Sequence, residues 1–316
     1  MSDPASDQAR VGVALLNWNG GEFTIPCVES LLASDLPPWR VVVVDNASTD
    51  GSPDVIAVRF PEILLIRNER NLGFAAGTNA AIRALLAAGA DPIWILNNDT
   101  VVHPACLWEL TRELDRDPGV AAVTAKIYRQ EPSDVFWYAG GDWSRWSFAA
   151  EHRGEGERDH GQYDVAEDVD FMSGCCILAR AATLREVGLL DERYFAYYED
   201  GDWCLRALKK RRRLRYIPKA VLWHKGSASV RKNTLGQSVG FASPFALHLE
   251  TRNRIWVIRD HAGRPMPYLT ALAALAYRCL YLSAAFAVLR RFEKLRAVWR
   301  GVRDGFGPRS KPTYSL

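Results

Sequence analysis

Residues 41–52 read VVVVDNASTDGS. Four valines in a row give no polar alternation, so Val41 to Val44 is a strand buried on both faces. The run stops at Asp45, and the turn formers Asn46 to Gly51 follow. Working outward, Val11 to Leu16 is a second apolar strand, with a helical pattern from Glu22 to Ala33 between the two. Downstream come a short helix, the apolar run Ile63 to Ile66, and an alanine-rich helix from Ala75 to Ala88 that stops at Gly89. Pro92 to Leu96 is the next strand and runs into Asn97, Asn98 and Asp99. Strands alternating with helices at this spacing predict an α/β fold with a parallel sheet covered on both faces. Ligands of such sheets bind beyond the carboxyl ends of the strands, and Asp45 and Asp99 both fall there.

The whole chain has 316 residues, 48% hydrophobic and 24% charged. That balance excludes a mainly disordered chain and a bundle of membrane spans, and the length points to about two domains. The expected division is residues 1–240, a catalytic α/β domain, and 241–316, a helical, basic extension. Six cysteines without a CxxC pair speak against a disulfide scaffold or zinc ribbon and for a reducing compartment. The polar start MSDPASDQAR is unlike a secretory signal. Net charge is only +3, but residues 203–316 hold 24 Lys and Arg against 4 Asp and Glu. An acidic first part suits metal or base chemistry, and a basic second part suits phosphate, nucleic acid or an anionic membrane.

From Tyr128 to Asp170 the sequence is rich in Gly, Trp and charge, and predicts irregular strands and loops. Phe171 to Ala179 is apolar again, Ala181 to Val187 is a short helix, and YFAYYEDGDWCLRALKKRRR opens a helix near Asp200 that closes in a basic run. Beyond Phe245 the pattern is helical to about Gly301, followed by a Pro- and Ser-containing tail.

There is no GxGxxG after the first strand and no GxxxxGK[ST], which removes the usual dinucleotide and P-loop signatures. Gly73 and Gly77, four apart at a helix start, serve either close packing or an anion held by backbone amides. Asp45 either begins a turn or meets a ligand. Asn97, Asn98 and Asp99 supply the hard oxygen atoms that suit Mg or Mn. Glu199, Asp200 and Asp202 either complement a helix N-terminus or, by mutual repulsion, raise a pKa as a general base requires. Asp202 and Arg206 are also spaced for an i,i+4 ion pair. His224 is a structural histidine or a ligand. Lys209 to Arg215, KKRRRLR, resembles a nucleic-acid patch, although its place at a helix C-terminus is sufficient reason for it.

Taken together, LNWNG near Asn17, VVVDNASTDGS, NLGFAAGTNAAI, ILNNDT, FMSGCCILAR, GLLDERYFAYYEDGDWCLRA and WHKGSAS resemble family 2 glycosyltransferases. The resemblance is to the rhamnosyltransferase and galactofuranosyltransferase-like branch, and it spans about Val11 to Arg259. It implies a GT-A, Rossmann-like fold with a mostly parallel sheet flanked by helices. It also implies inverting, metal-dependent transfer from a dTDP- or UDP-sugar to a glycan or lipid-linked saccharide. Its motifs assign Asn17, Asp45, Asn71, Gly73, Asn79, Asn97 and Asn98 to the donor. They assign Asp99 and His224 to Mg or Mn, and Asp200 to the base, with Glu199 and Asp202 as its alternates. Asn97 stands where the family's metal motif begins with Asp.

Two rivals remain at this stage. A nucleotidyltransferase would carry a basic, Gly-rich loop after the first strand, where NWNGGEF has neither Lys nor Arg. A sugar-binding or scaffold domain without activity would have lost the base or the metal positions. The apolar run Leu269 to Leu289, interrupted by Arg278 and followed by Arg290, Arg291, Lys294, Arg296 and Arg300, reads as an interfacial helix on anionic lipid, with a helix packed on the catalytic domain or a membrane span as the alternatives. The expected setting is therefore cytoplasmic, peripheral on the cytoplasmic membrane face, with no nucleic-acid partner.

Overall fold

The structure is a computed structural model that describes residues 10–144, 146–226, 242–263 and 266–309. The start of the chain, the expected division at 240, residues 227–229 of WHKGSAS and the tail lie outside these residues.

The first half runs β1 (Gly12–Asn17), α1 (Gly21–Leu32), β2 (Arg40–Asp45), α2 (Ser52–Arg59), β3 (Leu64–Arg67), α3 (Phe74–Ala87) and β4 (Ile93–Leu96). β5 (Thr100–Val102), α4 (Cys106–Arg116) and β6 (Val120–Arg129) follow. The middle forms short strands: β7 (Phe136–Tyr138), β8 (Gly141–Trp143), β9 (Ala150–His152) and β10 (Glu167–Asp168). Then come β11 (Cys176–Ala179), α5 (Ala181–Val187), α6 (Glu199–Lys209) and β12 (Arg213–His224). Three helices close the chain, α7 (Pro244–His261), α8 (Met266–Val288) and α9 (Phe292–Phe306).

The main sheet runs β10-β12-β6-β11-β4-β1-β2-β3, with β5 on β12 and β7 on β6. β4, β1, β2 and β3 are parallel, as the alternation predicts, and β11 enters antiparallel between β4 and β6. Val41 to Val44 are all buried, so the valine run is covered on both sides. The sheet and its helices share one apolar core, while α7, α8 and α9 pack around a second one built on Ile255, Leu275, Phe286 and Val298. Gly301 and Gly305 let α9 lie directly on α7: a Cβ at Gly305 would sit 2.6 Å from Ile255. All six cysteines are buried and free.

The basic run 209–215 is not one solvated patch. Arg212 pairs with Glu186, Arg213 with Asp117, and Arg215 with both Glu113 and Asp168. Its last residues belong to β12 and join that strand to α4.

Candidate active site

The carboxyl ends of the parallel strands meet in a layer of amides and hydroxyls. Asn17, at the end of β1, donates to Asp45 Oδ1 at 2.8 Å and to Ser52 Oγ at 2.8 Å, and accepts from Thr24 Oγ1 at 2.7 Å. Asp45 also accepts from the Ser48 amide at 3.0 Å and the Ser48 hydroxyl at 2.6 Å. Both functions of DNAS are therefore local: the aspartate closes its own turn and ties β2 to β1. Asn46 donates to Asn71 Oδ1 and to the Gly73 carbonyl, and accepts from Asn68.

Three of the residues the resemblance assigns to the donor make contacts within the framework. Asn79 is buried, donates to the Leu190 carbonyl at 2.8 Å and accepts from the Leu190 amide at 3.1 Å. Asn17 is fully buried under the bonds just described. Gly73, at φ +86°, faces Phe195, whose ring would lie 2.5 Å from a Cβ there. The Ala75 amide at the start of α3 is taken by the Phe195 carbonyl at 3.1 Å. Gly77 likewise presses on Leu16 and Asn46. Close packing accounts for both glycines, and an anion cradle is not needed to explain them.

Asp99 and His224, 125 residues apart, come together because β5 pairs with the end of β12, Thr100 opposite His224. His224 Nε2 lies 3.0 Å from Asp99 Oδ1. Cys175 Sγ is 3.5 Å from the same nitrogen, and the Trp137 ring meets the imidazole edge-on at 4.5 Å between centroids. Burial opposes a charge on His224, yet Cys175 and Asp99 raise its pKa to about 10. Asn97 donates to Cys175 Sγ at 3.1 Å, and its buried Oδ1 has no hydrogen-bond partner among the described residues. A carboxylate, an imidazole and an unpartnered amide oxygen are a donor set that fits Mg or Mn. Asn98 is turned aside and donates to Thr24 Oγ1 at 2.7 Å.

The acidic segment begins α6, and its three carboxylates have three different environments. Asp200 is half-buried, with Oδ2 accepting from the Gly174 amide at 2.8 Å and Oδ1 from the Gly201 amide at 2.7 Å. Burial raises its pKa, while those amides pull the other way. Glu199 is buried, and its Oε2 has no hydrogen-bond partner among the described residues. Burial and then the charge of Asp200 push it well above the ordinary carboxylate range. Asp202 faces away: Arg206 Nε and His261 Nε2 each lie 2.8 Å from one of its oxygens. Both Asp202 oxygens are thus engaged, by Arg206 on α6 and His261 on α7, which leaves Asp200 the more open carboxylate.

One segment joins the two centres. Gly174 donates to Asp200, while the next residue, Cys175, touches His224 and accepts from the Asn97 amide through its carbonyl at 3.3 Å. FMSGCC thus touches both the Asp200 carboxylate and the Asp99–His224 pair. The sequence offers no cue for Cys175 as a neighbour of His224, since it reads as one more apolar residue in the run. The segment before α6 is also unexpected. Phe195, Tyr197 and Tyr198 all have φ near +70°, each a conformation that costs a bulky residue of order 1–3 kcal/mol.

The likeness to known proteins agrees with this architecture. The chain is 29% identical over 243 residues to an N-acetylglucosaminyl-diphospho-decaprenol L-rhamnosyltransferase of Mycobacterium tuberculosis, covering 69% of this chain and 77% of the relative. It is 25% identical over 251 residues to the dTDP-rhamnosyl transferase RfbF of Shigella flexneri, covering 78% and 79%. Among solved structures, S. aureus TarS in complex with UDP-GlcNAc aligns at TM-score 0.59 and 16% identity over 94% of this chain and 80% of that one. A mannosyltransferase of Pyrobaculum calidifontis, solved with GDP-Man and Mn2+, aligns at 0.53 and 19% identity over 93% and 74%. These neighbours share the GT-A fold. The nucleotidyltransferase and inactive-scaffold readings give way to that of a glycosyltransferase. With the family's model matching residues 13–188, more than half of its length, the chain belongs to glycosyl transferase family 2.

Proposed function

We propose that this enzyme is an inverting, metal-dependent transferase that moves a sugar from a dTDP- or UDP-linked donor to a hydroxyl of a glycan or lipid-linked saccharide. The observation that carries the reading is the placing of Asp200. It is the only one of the three α6 acids that keeps some accessible surface, and the backbone residue that holds it, Gly174, is followed directly by Cys175, which touches His224.

Asp200 takes the proton of the acceptor hydroxyl as that oxygen attacks the anomeric carbon. The bond between that carbon and the diphosphate oxygen breaks, and the nucleoside diphosphate leaves with the electron pair. The Gly174 and Gly201 amides hold the carboxylate in one orientation during the transfer, an alignment general-base catalysis needs. Asp99, His224 and Asn97 are the residues that would hold Mg or Mn. The chemistry such an ion would supply there is neutralisation of charge on the departing diphosphate. The rhamnosyltransferase relatives favour an activated deoxyhexose as donor, and the name of the mycobacterial one favours a polyprenyl diphosphate-linked acceptor.

A lipid-linked acceptor also fits the surface of α8. Leu269, Ala273, Tyr277, Leu280, Ala284 and Val288 recur at helical spacing and are all exposed. Less than a third of the helix's apolar window is buried, and it is the one helix among the described residues long and apolar enough to cross a membrane. Arg278, which by sequence interrupts this run, points elsewhere and pairs with Glu250 at 3.0 Å. With Arg290, Arg291, Arg296 and Arg300 exposed beside it, this face supports peripheral binding to the anionic cytoplasmic surface of a membrane.

The test is a screen of dTDP- and UDP-sugars with polyprenyl diphosphate-linked saccharides, read by product mass. Transfer should require a divalent ion, vanish in chelator and return with added Mn or Mg. Undiminished transfer in chelator would overturn the metal part of the proposal.

A further inference from the structure

The mechanism leaves unused the most heavily hydrogen-bonded polar cluster of the C-terminal helices. Arg252 and Asn253, on α7, are almost wholly buried. The Asn253 side-chain nitrogen lies 3.1 Å from the Tyr194 carbonyl oxygen, 2.8 Å from that of Ala196 and 2.8 Å from that of Tyr197. Arg252 Nε donates to Asn253 Oδ1 at 2.8 Å, which fixes which end of the amide faces the carbonyls, and Arg252 Nη2 donates to Tyr194 at 2.8 Å. The guanidinium rests on the Trp256 ring at 4.3 Å.

Three carbonyls from one four-residue stretch do not ordinarily converge on one nitrogen. They do so here because Phe195 and Tyr197 have positive φ, a conformation bulky side chains avoid. The curl ends at Tyr198, also at positive φ, and leads directly into Glu199 and Asp200. α7 grips the same helix start a second time, where His261 meets Asp202 at 2.8 Å.

We infer that Asn253, oriented by Arg252, is a positioning residue that holds the 194–198 curl and thereby aims Asp200 at the acceptor hydroxyl. Neither side chain reaches reacting atoms. Their effect passes through the backbone to the base, and the inference rests on Asp200 being that base.

The experiment is a double-mutant cycle in the full-length enzyme, using the donor and acceptor that the wild type turns over. Asn253→Ala should lower kcat roughly 10- to 100-fold, within the span a positioned general base supplies, and leave the donor KM within about twofold. In an Asp200→Asn background the same change should have almost no further effect, because the residue acts only through Asp200. A role in stability alone would lower the residual rate of Asp200→Asn as well, in proportion to the folded fraction read by thermal unfolding. Arg252→Gln, which keeps an amide donor in place of the guanidinium, should give a smaller loss of kcat with the same dependence on Asp200. It decides the matter if Asn253→Ala does not fold. Folded variants with wild-type kcat, or losses that multiply with that of Asp200→Asn, would overturn the inference. An active Asp200→Asn would instead overturn the assignment of the base, which keeps the two failures distinct.

Discussion

The sheet and the three C-terminal helices each bury an apolar core, but α7 also carries a run of charged and polar side chains inward. In the sheet, Val41 to Val44 and Ile93 to Leu96 are sealed in an apolar core, and polar side chains gather at the strand ends. In the C-terminal helices, Arg252, Asn253 and Arg254 are buried, whereas Leu269, Tyr277, Leu280 and Val288 are half or more exposed. The contrast follows from what each part touches. The sheet packs against its own helices, so apolar burial drives it. α7 packs against a strained backbone curl whose carbonyls need donors, so it carries polar groups inward. α8 leaves an apolar face open, which is the pattern of an interaction surface.

The junction between the two regions offers the largest expected effect. Gly73 touches Phe195 where the donor-side helix meets the curl, and an Ala there would be strained at φ +86° and crowded by the ring and carbonyl. Gly73→Ala should cost roughly 2–4 kcal/mol, combining left-handed strain with overpacking. Denaturant unfolding checks this, and an unchanged midpoint would show the contact to be soft.

A smaller effect sharpens the polar side of the comparison. Burial works against the Asp202 carboxylate, yet its bonds from His261 and Arg206 hold its pKa below the usual range. A group depressed in this way stabilises the fold above its unfolded pKa of about 3.9, and that stability is lost as pH falls through the lower folded value. Asp202→Asn should therefore cost about 1–3 kcal/mol near neutrality, and the difference from wild type should shrink below about pH 4. Turnover per folded molecule should stay close to wild type. A loss of turnover without a loss of stability would return Asp202 to the chemistry.

The smallest effect on the fold concerns the open apolar face. Leu269→Glu with Leu280→Glu should change stability by no more than about 0.5 kcal/mol per site, yet weaken flotation with anionic vesicles. Wild-type binding should fall with salt, since exposed charges are screened. Equal flotation of both proteins would break the reading of α8 as a lipid-facing helix.

The same contrast explains what was legible in the sequence. β1, β2 and β4, the helices between them, and the places of Asp45 and Asp99 follow from local periodicity, because each element is specified by its own run of residues. β6 and β12 went unread. VAAVTAKIYR hides a buried Lys126 that pairs with Asp159 and Asp164, and RLRYIPKAVLWH carries Pro218 between two registers of one bulged strand. The family motifs point to Asp99 and His224, which the pairing of β5 with β12 brings into contact. They also point to Asn79, whose amide meets Leu190, a contact 111 residues away that no local pattern announces. The bracing of the curl by Asn253 was invisible for the same reason.

The central claim is that Asp200 is the base, and the most direct measurement is the pH dependence of kcat/KM for wild type and Asp200→Asn. Because burial raises the Asp200 pKa and the base must be ionised to act, wild-type activity should fall with decreasing pH along a limb above the ordinary carboxylate range. Asp200→Asn should lose about 10²- to 10⁴-fold in rate, together with that limb, while remaining folded. A variant that keeps more than about a tenth of the wild-type rate, short of the usual general-base contribution, or that shows the same acid limb, would contradict the account.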